Sequence, residues 1–97
     1  MKIRELLSDE SKWIKWHEAQ DKGGKVVDPL NPKAAKWCLQ GAMAKCYFKK
    51  SHIGFSKIED SLCREVGKRG YSLIVSFNDD PRITFLDVRD IVLRLDI

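Results

Sequence analysis

The residues with the clearest potential for chemistry are Cys38 and the two histidines of the chain, His17 and His52. A cysteine nucleophile needs a nearby base to form its thiolate and a third group to orient that base, a part that Asn78 or Asp79 could play. The spacing matches no known Cys/His arrangement. Cys38 also falls about two turns into a predicted helix, beyond the first-turn N–H groups that lower a thiol pKa. We therefore expect a packed core thiol, with a cysteine-dependent enzyme as an alternative.

Metal binding and carboxylate chemistry are the next possibilities. A zinc site needs about four ligands with paired spacing such as Cys-x-x-Cys, whereas Cys38 and Cys46 stand eight positions apart. The run Asn78-Asp79-Asp80 places two carboxylates side by side, which could hold a divalent cation. The same residues suit a turn that puts acids near the N-terminus of a final helix starting at Thr84. We predict a structural role for this turn, and neither a metal ion nor a cofactor.

The element expected to position these groups is a central helix over residues 32–48. Asn31 is a good N-cap, and Pro32 suits the first helical position. Two apolar faces follow at about 100° per residue. One face has Ala35, Cys38, Leu39, Ala42 and Cys46, and the other has Trp37, Gly41, Ala44 and Phe48. A helix apolar on most sides is usually buried, and Gly41 indicates close approach by another element or by the indole of Trp37.

The predicted fold class is mostly α: residues 1–97 form a single small helical domain of four or five helices around the central helix (about 32–48). A minimal β-hairpin near 17–28 is an optional addition, because Asp21-Lys22-Gly23-Gly24 is a strong turn signal. The remaining predicted pieces are helical turns at 2–7, a helix from Ser8 or Asp9 to about Gln20, a loop at 49–54, a helix from a Ser56–Glu59 capping box to Arg69, a short buried helix at 71–77, and a final helix from Thr84.

The central segment also carries a family resemblance. Trp37-Cys38-Leu39-Gln40-Gly41-Ala42 resembles the Trp-Cys-x-x-Gly-Ala helix of a family of small bacterial and phage proteins of unknown function. The approach Gly24–Pro29, the pair Asn78-Asp79, and Thr84 followed by Asp87-Val88 are similar to that family's other short motifs. The resemblance implies a bacterial or phage origin and marks Trp37, Cys38, Gly41, Asn78, Asp79 and Thr84 as structural motif residues. It implies no established activity.

Charge is placed unevenly along the chain. The formal net charge is +4, and residues 29–58 contain six lysines without a single acid. These are Lys33, Lys36, Lys45, Lys49, Lys50 and Lys57. The candidate partner-binding residues are Lys33, Lys36, Lys49, Lys50, Lys57 and Trp16, whose indole lies off the apolar stripe of its predicted helix. No arginine accompanies these lysines, which weakens the case for bidentate phosphate or base contacts.

The cysteines and the hydropathy of the chain indicate the cellular compartment. Three cysteines exclude a complete disulfide framework, and all three (Cys38, Cys46, Cys63) fall on apolar faces of predicted helices, as buried thiols of a reducing compartment do. No apolar run is long enough to cross a membrane. We therefore expect a soluble cytoplasmic protein.

The predicted function is a small non-catalytic protein-binding module of a bacterium or phage. An inhibitor of a host protein is one version. The expected partner is a protein with an acidic surface. The alternatives are an electrostatic nucleic-acid binder acting through the Lys33–Lys57 segment and an enzyme that uses Cys38.

Overall fold

The mostly α fold class is confirmed. The computed structural model describes residues 1–48 and 52–97, without the side chains of residues 52 and 53. In chain order the described elements are α1 (Ile3–Leu6), a 3-10 turn (Glu10–Lys12), β1 (Ala19–Asp21), β2 (Ala34–Trp37), α2 (Leu39–Tyr47), α3 (His52–Lys68), α4 (Ile74–Asp79) and α5 (Phe85–Leu95). The described part of the chain therefore holds five α-helices and a small antiparallel pair of strands.

Helix α2 lies at the centre, packed against α1, α3, α4 and β2. One hydrophobic cluster fills the space between these elements. Its fully buried members include Ile3, Leu7, Leu39, Met43, Leu62, Val66, Phe77, Val88, Ile91 and Val92. Burying a side chain of this size contributes about 1.5–3 kcal/mol, so the packing around α2 is the main source of stability. No helix in the described ranges is long and apolar enough to cross a membrane.

The two strands pair antiparallel, with Ala19 opposite Trp37 and Gln20 opposite Lys36. A further bridge joins Gln20 to Val26, and it closes the predicted minimal hairpin within residues 17–28. Its turn is held by the Asp21 carboxylate, which accepts the backbone N–H groups of residues 23 and 25 at 2.9 Å each. The hairpin is thus confirmed, but its second and longer partner, β2, was not expected.

The N-terminal boundary predicted for the central helix was wrong. Helix α2 begins at Leu39, and the four residues Ala34–Trp37 are a strand rather than helical turns. Asn31 does use its side chain as an acceptor, from the N–H of Lys33 at 2.8 Å, but this closes a single turn that is not continued. Pairing with β1 and burial of Trp37 against the core outweigh the weak local preference for helix.

Two other boundaries and the burial of one cysteine differ from the prediction. The helix expected from Ser8 or Asp9 to Gln20 is only the three-residue 3-10 turn, capped by Asp9. Helix α3 begins at His52 rather than at Ser56. Ser56 and Glu59, which were predicted to cap the start of the helix, therefore both lie inside it. Cys63 is exposed rather than buried, because the core face of α3 runs through Leu62 and Val66, and Cys63 lies to one side of it, about 100° from Leu62 and about 60° from Val66.

Two later predictions are confirmed. The apolar segment 71–77 contributes a short helix, α4, with Ile74 and Phe77 buried. Thr84 is the N-cap of α5: its hydroxyl accepts the backbone N–H of Asp87 at 3.4 Å, and the Asp87 carboxylate accepts the backbone N–H of Thr84 at 2.8 Å. This reciprocal pair satisfies two N–H groups that the helix itself leaves open.

Candidate functional site

Asn78, at the end of α4, is a fully buried hydrogen-bonding centre. Its Oδ1 accepts the indole N–H of Trp13 at 2.7 Å and the backbone N–H of Leu39 at 3.0 Å. Its Nδ2 donates to the carbonyl of Ile14 at 3.1 Å and to the Asp79 carboxylate at 3.0 Å. The side chain therefore ties the segment before β1 and the start of α2 to the end of α4. The sequence predicted a turn at this position, whereas Asn78 and Asp79 are the last residues of a helix.

The neighbouring Asp79 fixes the backbone of Trp16. Its Oδ1 accepts the Trp16 backbone N–H at 2.9 Å, and Trp16 has a φ of 77°. A positive φ is unusual for any residue other than glycine, and an aromatic side chain there is strained. The Trp16 indole is 66% exposed, so burial of the ring does not compensate for this strain.

Two residues that precede Trp16 are also anchored. The ammonium group of Lys15 donates to the carbonyls of Asp80 at 2.5 Å and Ile83 at 2.7 Å. Trp13 packs against Phe85 with ring centroids 6.1 Å apart. We call residues 13–16 the anchored loop. Its backbone is tied to the α4–α5 corner, and it carries the exposed side chain of Trp16.

Cys38 is the N-cap residue of α2, not an interior helical residue. Its Sγ accepts the backbone N–H of Gly41 at 3.2 Å, and only 3% of the residue is exposed. Burial raises the pKa of the Cys38 thiol, more than the N–H groups of Gly41 and Gln40 lower it. A protonated, enclosed thiol is suited to capping and packing, because the thiolate is the reactive form.

Gly41 allows the chain before β1 to touch α2. A Cβ at this position would lie 1.9 Å from the carbonyl oxygen of Glu18 and 2.8 Å from its carbonyl carbon. The close approach expected at Gly41 is therefore made by backbone, that of Glu18, and not by the indole of Trp37. The same approach lets Glu18 accept the N–H of Cys38 at 3.2 Å.

The predicted basic residues do not share a helix. Lys33 is exposed just before β2, Lys36 is half-buried on β2, and Lys57 is exposed on α3. Lys33 and Lys36 were both expected on the central helix (about 32–48), and this was wrong, because both precede α2. Lys49 and Lys50 lie outside the described residues. Of the candidate lysines that the structure describes, Lys33 and Lys36 thus lie at or before β2 and Lys57 lies on α3.

Two clefts open on the surface near the small sheet. The larger, of about 390 Å³, lies between the hairpin turn and the start of β2; its lining residues are Asp21, Lys22, Gly23, Pro32, Lys33, Ala34 and Ala35. The smaller, of about 150 Å³, is lined by Glu18, Asp28, Pro29, Leu30, Ala44 and Phe48. The charged residues that line the larger cleft are two lysines and one aspartate, whereas those that line the smaller cleft are both acidic.

Among the described residues, no three His, Cys, Asp or Glu side chains converge in a way that could hold a metal ion. Asp79 and Asp80 instead serve as acceptors for protein donors, Asp79 for Trp16 and Asp80 for Arg82 and Tyr71.

The chain matches no protein-family model, no curated protein and no solved structure.

Sequence reasoning missed the anchored loop and the larger cleft. No local signal marks Trp16 as strained, because its φ is imposed by Asp79 from 63 residues away. The cleft had a partial signal: Lys22 follows Asp21 in a recognisable turn, and Lys33 was already a candidate. Only the strand pairing brings these two lysines to one surface.

Proposed function

We propose that the protein is a small non-catalytic module that binds another protein, with the indole of Trp16 at the centre of the contact. The observation that supports this most directly is the anchored loop. Tryptophan is enriched among the few residues that supply most of the binding energy of an interface. The backbone that carries this indole is already held by hydrogen bonds, so little backbone freedom is lost on binding. Local strain at an exposed residue, with no packing benefit inside the fold, is typical of functional positions.

Charge supports a partner with an acidic surface. The excess of +4 arises in a segment without acids, and Lys33 and Lys57 are exposed. Exposed charges at the rim of an interface mainly raise the association rate and steer the approach of an oppositely charged partner. The resemblance to small bacterial and phage proteins suggests occlusion of a host protein as one form of this function.

The two alternatives receive less support. A cysteine-dependent enzyme would need an accessible thiolate, whereas Cys38 is enclosed and has a raised pKa. A nucleic-acid binder would need a continuous positive track, whereas the described lysines of the segment are spread over the approach to β2, β2 itself, α2 and α3.

Affinity capture followed by a binding measurement tests the proposal. The tagged protein would be used to capture partners from a bacterial lysate, and each partner would be purified and titrated against wild-type protein and Trp16→Gly. Glycine accepts a φ of 77° without strain, so we expect this variant to be at least as stable as wild type. We expect its affinity to fall by about 30-fold or more, as for a hot-spot residue worth about 2 kcal/mol.

The matched control is Leu86→Ala, which removes another exposed apolar side chain, 75% accessible and on α5. It should leave the affinity within about twofold. The proposal fails if Trp16→Gly binds the purified partner as tightly as wild type does.

A further inference from the structure

We propose that the larger cleft, between the hairpin turn and the start of β2, binds the carboxylate side chains of an extended acidic segment of the partner protein. This inference rests on the proposed function and assigns a second contact site, separate from Trp16. The proposed ligand of the cleft is a peptide.

The cleft is a consequence of the strand pairing. Gln20 and Asp21 are adjacent in β1, but their partners in β2 are Lys36 and Ala34, so Ala35 is an extra, bulged residue. A bulge bends its strand and ends regular pairing. The chain before β2 therefore diverges from the hairpin turn and leaves a space of about 390 Å³. This volume is in the range of small-ligand pockets, about 300–1,000 Å³, and suffices for two or three side chains.

The charged groups that line the cleft favour an anion. Lys22 and Lys33 both line the cleft and are both exposed; Lys22 belongs to the hairpin turn and Lys33 is the residue before β2. Asp21 is the one acid in the lining, and its Oδ1 is already engaged by two backbone N–H groups of the turn. The remaining lining is glycine, proline and the methyl groups of Ala34 and Ala35. A carboxylate on a short apolar stem matches a lining that combines two lysines with small apolar residues.

The same lining argues for a peptide over nucleic acid. Single-stranded nucleic acid is held by aromatic rings on which bases stack, together with a groove that follows several phosphates. The cleft lining contains neither an aromatic ring nor an arginine. Two lysines around one short cleft suit separate carboxylates better than a continuous phosphate backbone.

A titration monitored by ¹H–¹⁵N NMR tests the inference, with hexaglutamate as the probe. We expect saturable shifts of the backbone amides of Gly23, Ala34 and Ala35. The amide of Ala44, which lines the smaller cleft, should not move. Lys22→Glu with Lys33→Glu should weaken hexaglutamate binding at least tenfold. The matched control is Lys57→Glu, which makes the same charge change on α3, away from the cleft, and should weaken it by less than threefold.

Parallel titrations with hexathymidylate and with inorganic phosphate separate the other sources of negative charge. Tighter binding of hexathymidylate than of hexaglutamate at the same amides would overturn the peptide assignment in favour of nucleic acid. Equal weakening by Lys57→Glu, or shifts scattered over all lysine-rich surfaces, would overturn the site itself.

Trp16→Gly separates this inference from the proposed function. The variant should bind hexaglutamate as wild type does, even when it no longer binds the partner. If hexaglutamate does not shift the cleft amides while Trp16→Gly still abolishes partner binding, the cleft proposal fails and the protein-binding function stands. If the cleft binds hexaglutamate while Trp16→Gly has no effect on partner binding, the role of Trp16 fails and the cleft stands.

Discussion

The side chain of Asn78, on α4, caps α2 by accepting the backbone N–H of Leu39 at 3.0 Å. We predict that Asn78→Ala lowers the free energy of unfolding by about 3 kcal/mol or more, because several buried groups lose their partner together. Chemical denaturation measures this loss. Asn78→Asp should also be destabilised at neutral pH and partly recover as the pH falls, because a carboxyl buried beside Asp79 is tolerated best when protonated. A loss below about 1 kcal/mol for Asn78→Ala would show that water replaces its contacts.

Gly41 should be intolerant of any side chain. The atom that a Cβ would meet is the backbone carbonyl of Glu18, 1.9 Å away, which cannot rotate aside. We expect Gly41→Ala to destabilise by about 3 kcal/mol or to prevent folding. Gly67→Ala is the matched control, since nothing lies within 4 Å of a Cβ on that residue of α3. It should raise stability by up to about 1 kcal/mol through helix propensity. Similar melting temperatures for the two variants would contradict this account of the Glu18–Gly41 approach.

Much of the fold is predictable because its signals are local. The Asp21–Gly24 turn, the Thr84 cap and the apolar segment that contains Ile74 and Phe77 all act within a few residues. The strand Ala34–Trp37 could not be predicted in this way, because its residues prefer helix and its pairing partner, β1, lies more than ten residues earlier. Local preference is worth tenths of a kcal/mol per residue, and tertiary pairing overrides it.

The candidate site was less predictable than the fold. Trp16, Lys33 and Asn78 were all identified as candidates from the sequence. The elements in which they were expected differ from those in which the structure places them. Asn78 contacts Trp13 and Leu39, which are 65 and 39 positions away. Contacts between residues so far apart leave no periodic pattern in the sequence from which they could be predicted.

Cys38 should behave as a capping residue. Serine is a preferred N-cap and can accept the Gly41 N–H as the sulfur does. We therefore expect Cys38→Ser to cost less stability than Cys38→Ala, which should lose about 1 kcal/mol. Thermal denaturation of the two variants gives the comparison.

In the folded wild-type protein, a thiol reagent should label exposed Cys63 first and Cys38 only on unfolding. Rapid labelling of Cys38 would revive the cysteine-enzyme alternative.

Asp80 should contribute to acid sensitivity. The Arg82 side chain, the Arg82 backbone N–H and the Tyr71 hydroxyl hold the pKa of Asp80 well below its ordinary value of 3.8. Because the folded pKa is the lower one, the charged carboxylate stabilises the fold above about pH 4. This contribution is lost as the pH falls through the range below that value. Asp80→Asn should therefore flatten the decline of stability between about pH 4 and pH 2. The exposed Asp60→Asn is the control, and equal pH profiles for Asp80→Asn and wild type would refute the role of Asp80.

Arg89 on α5 donates from Nη1 to the carbonyls of Arg4 and Leu7, and the backbone N–H of Arg4 donates to the carbonyl of Ile97 at 2.9 Å. Helix α1 is only four residues long, too short to be stable alone in water. Its order therefore depends on tertiary contacts, which α2 and α5 supply, the guanidinium group of Arg89 among them. During synthesis, α1 leaves the ribosome well before α5 is made, and Ile3 and Leu7 then have no completed core to enter. We therefore expect α1 to become ordered only after α5 has been made, with its apolar residues accessible to other proteins until then.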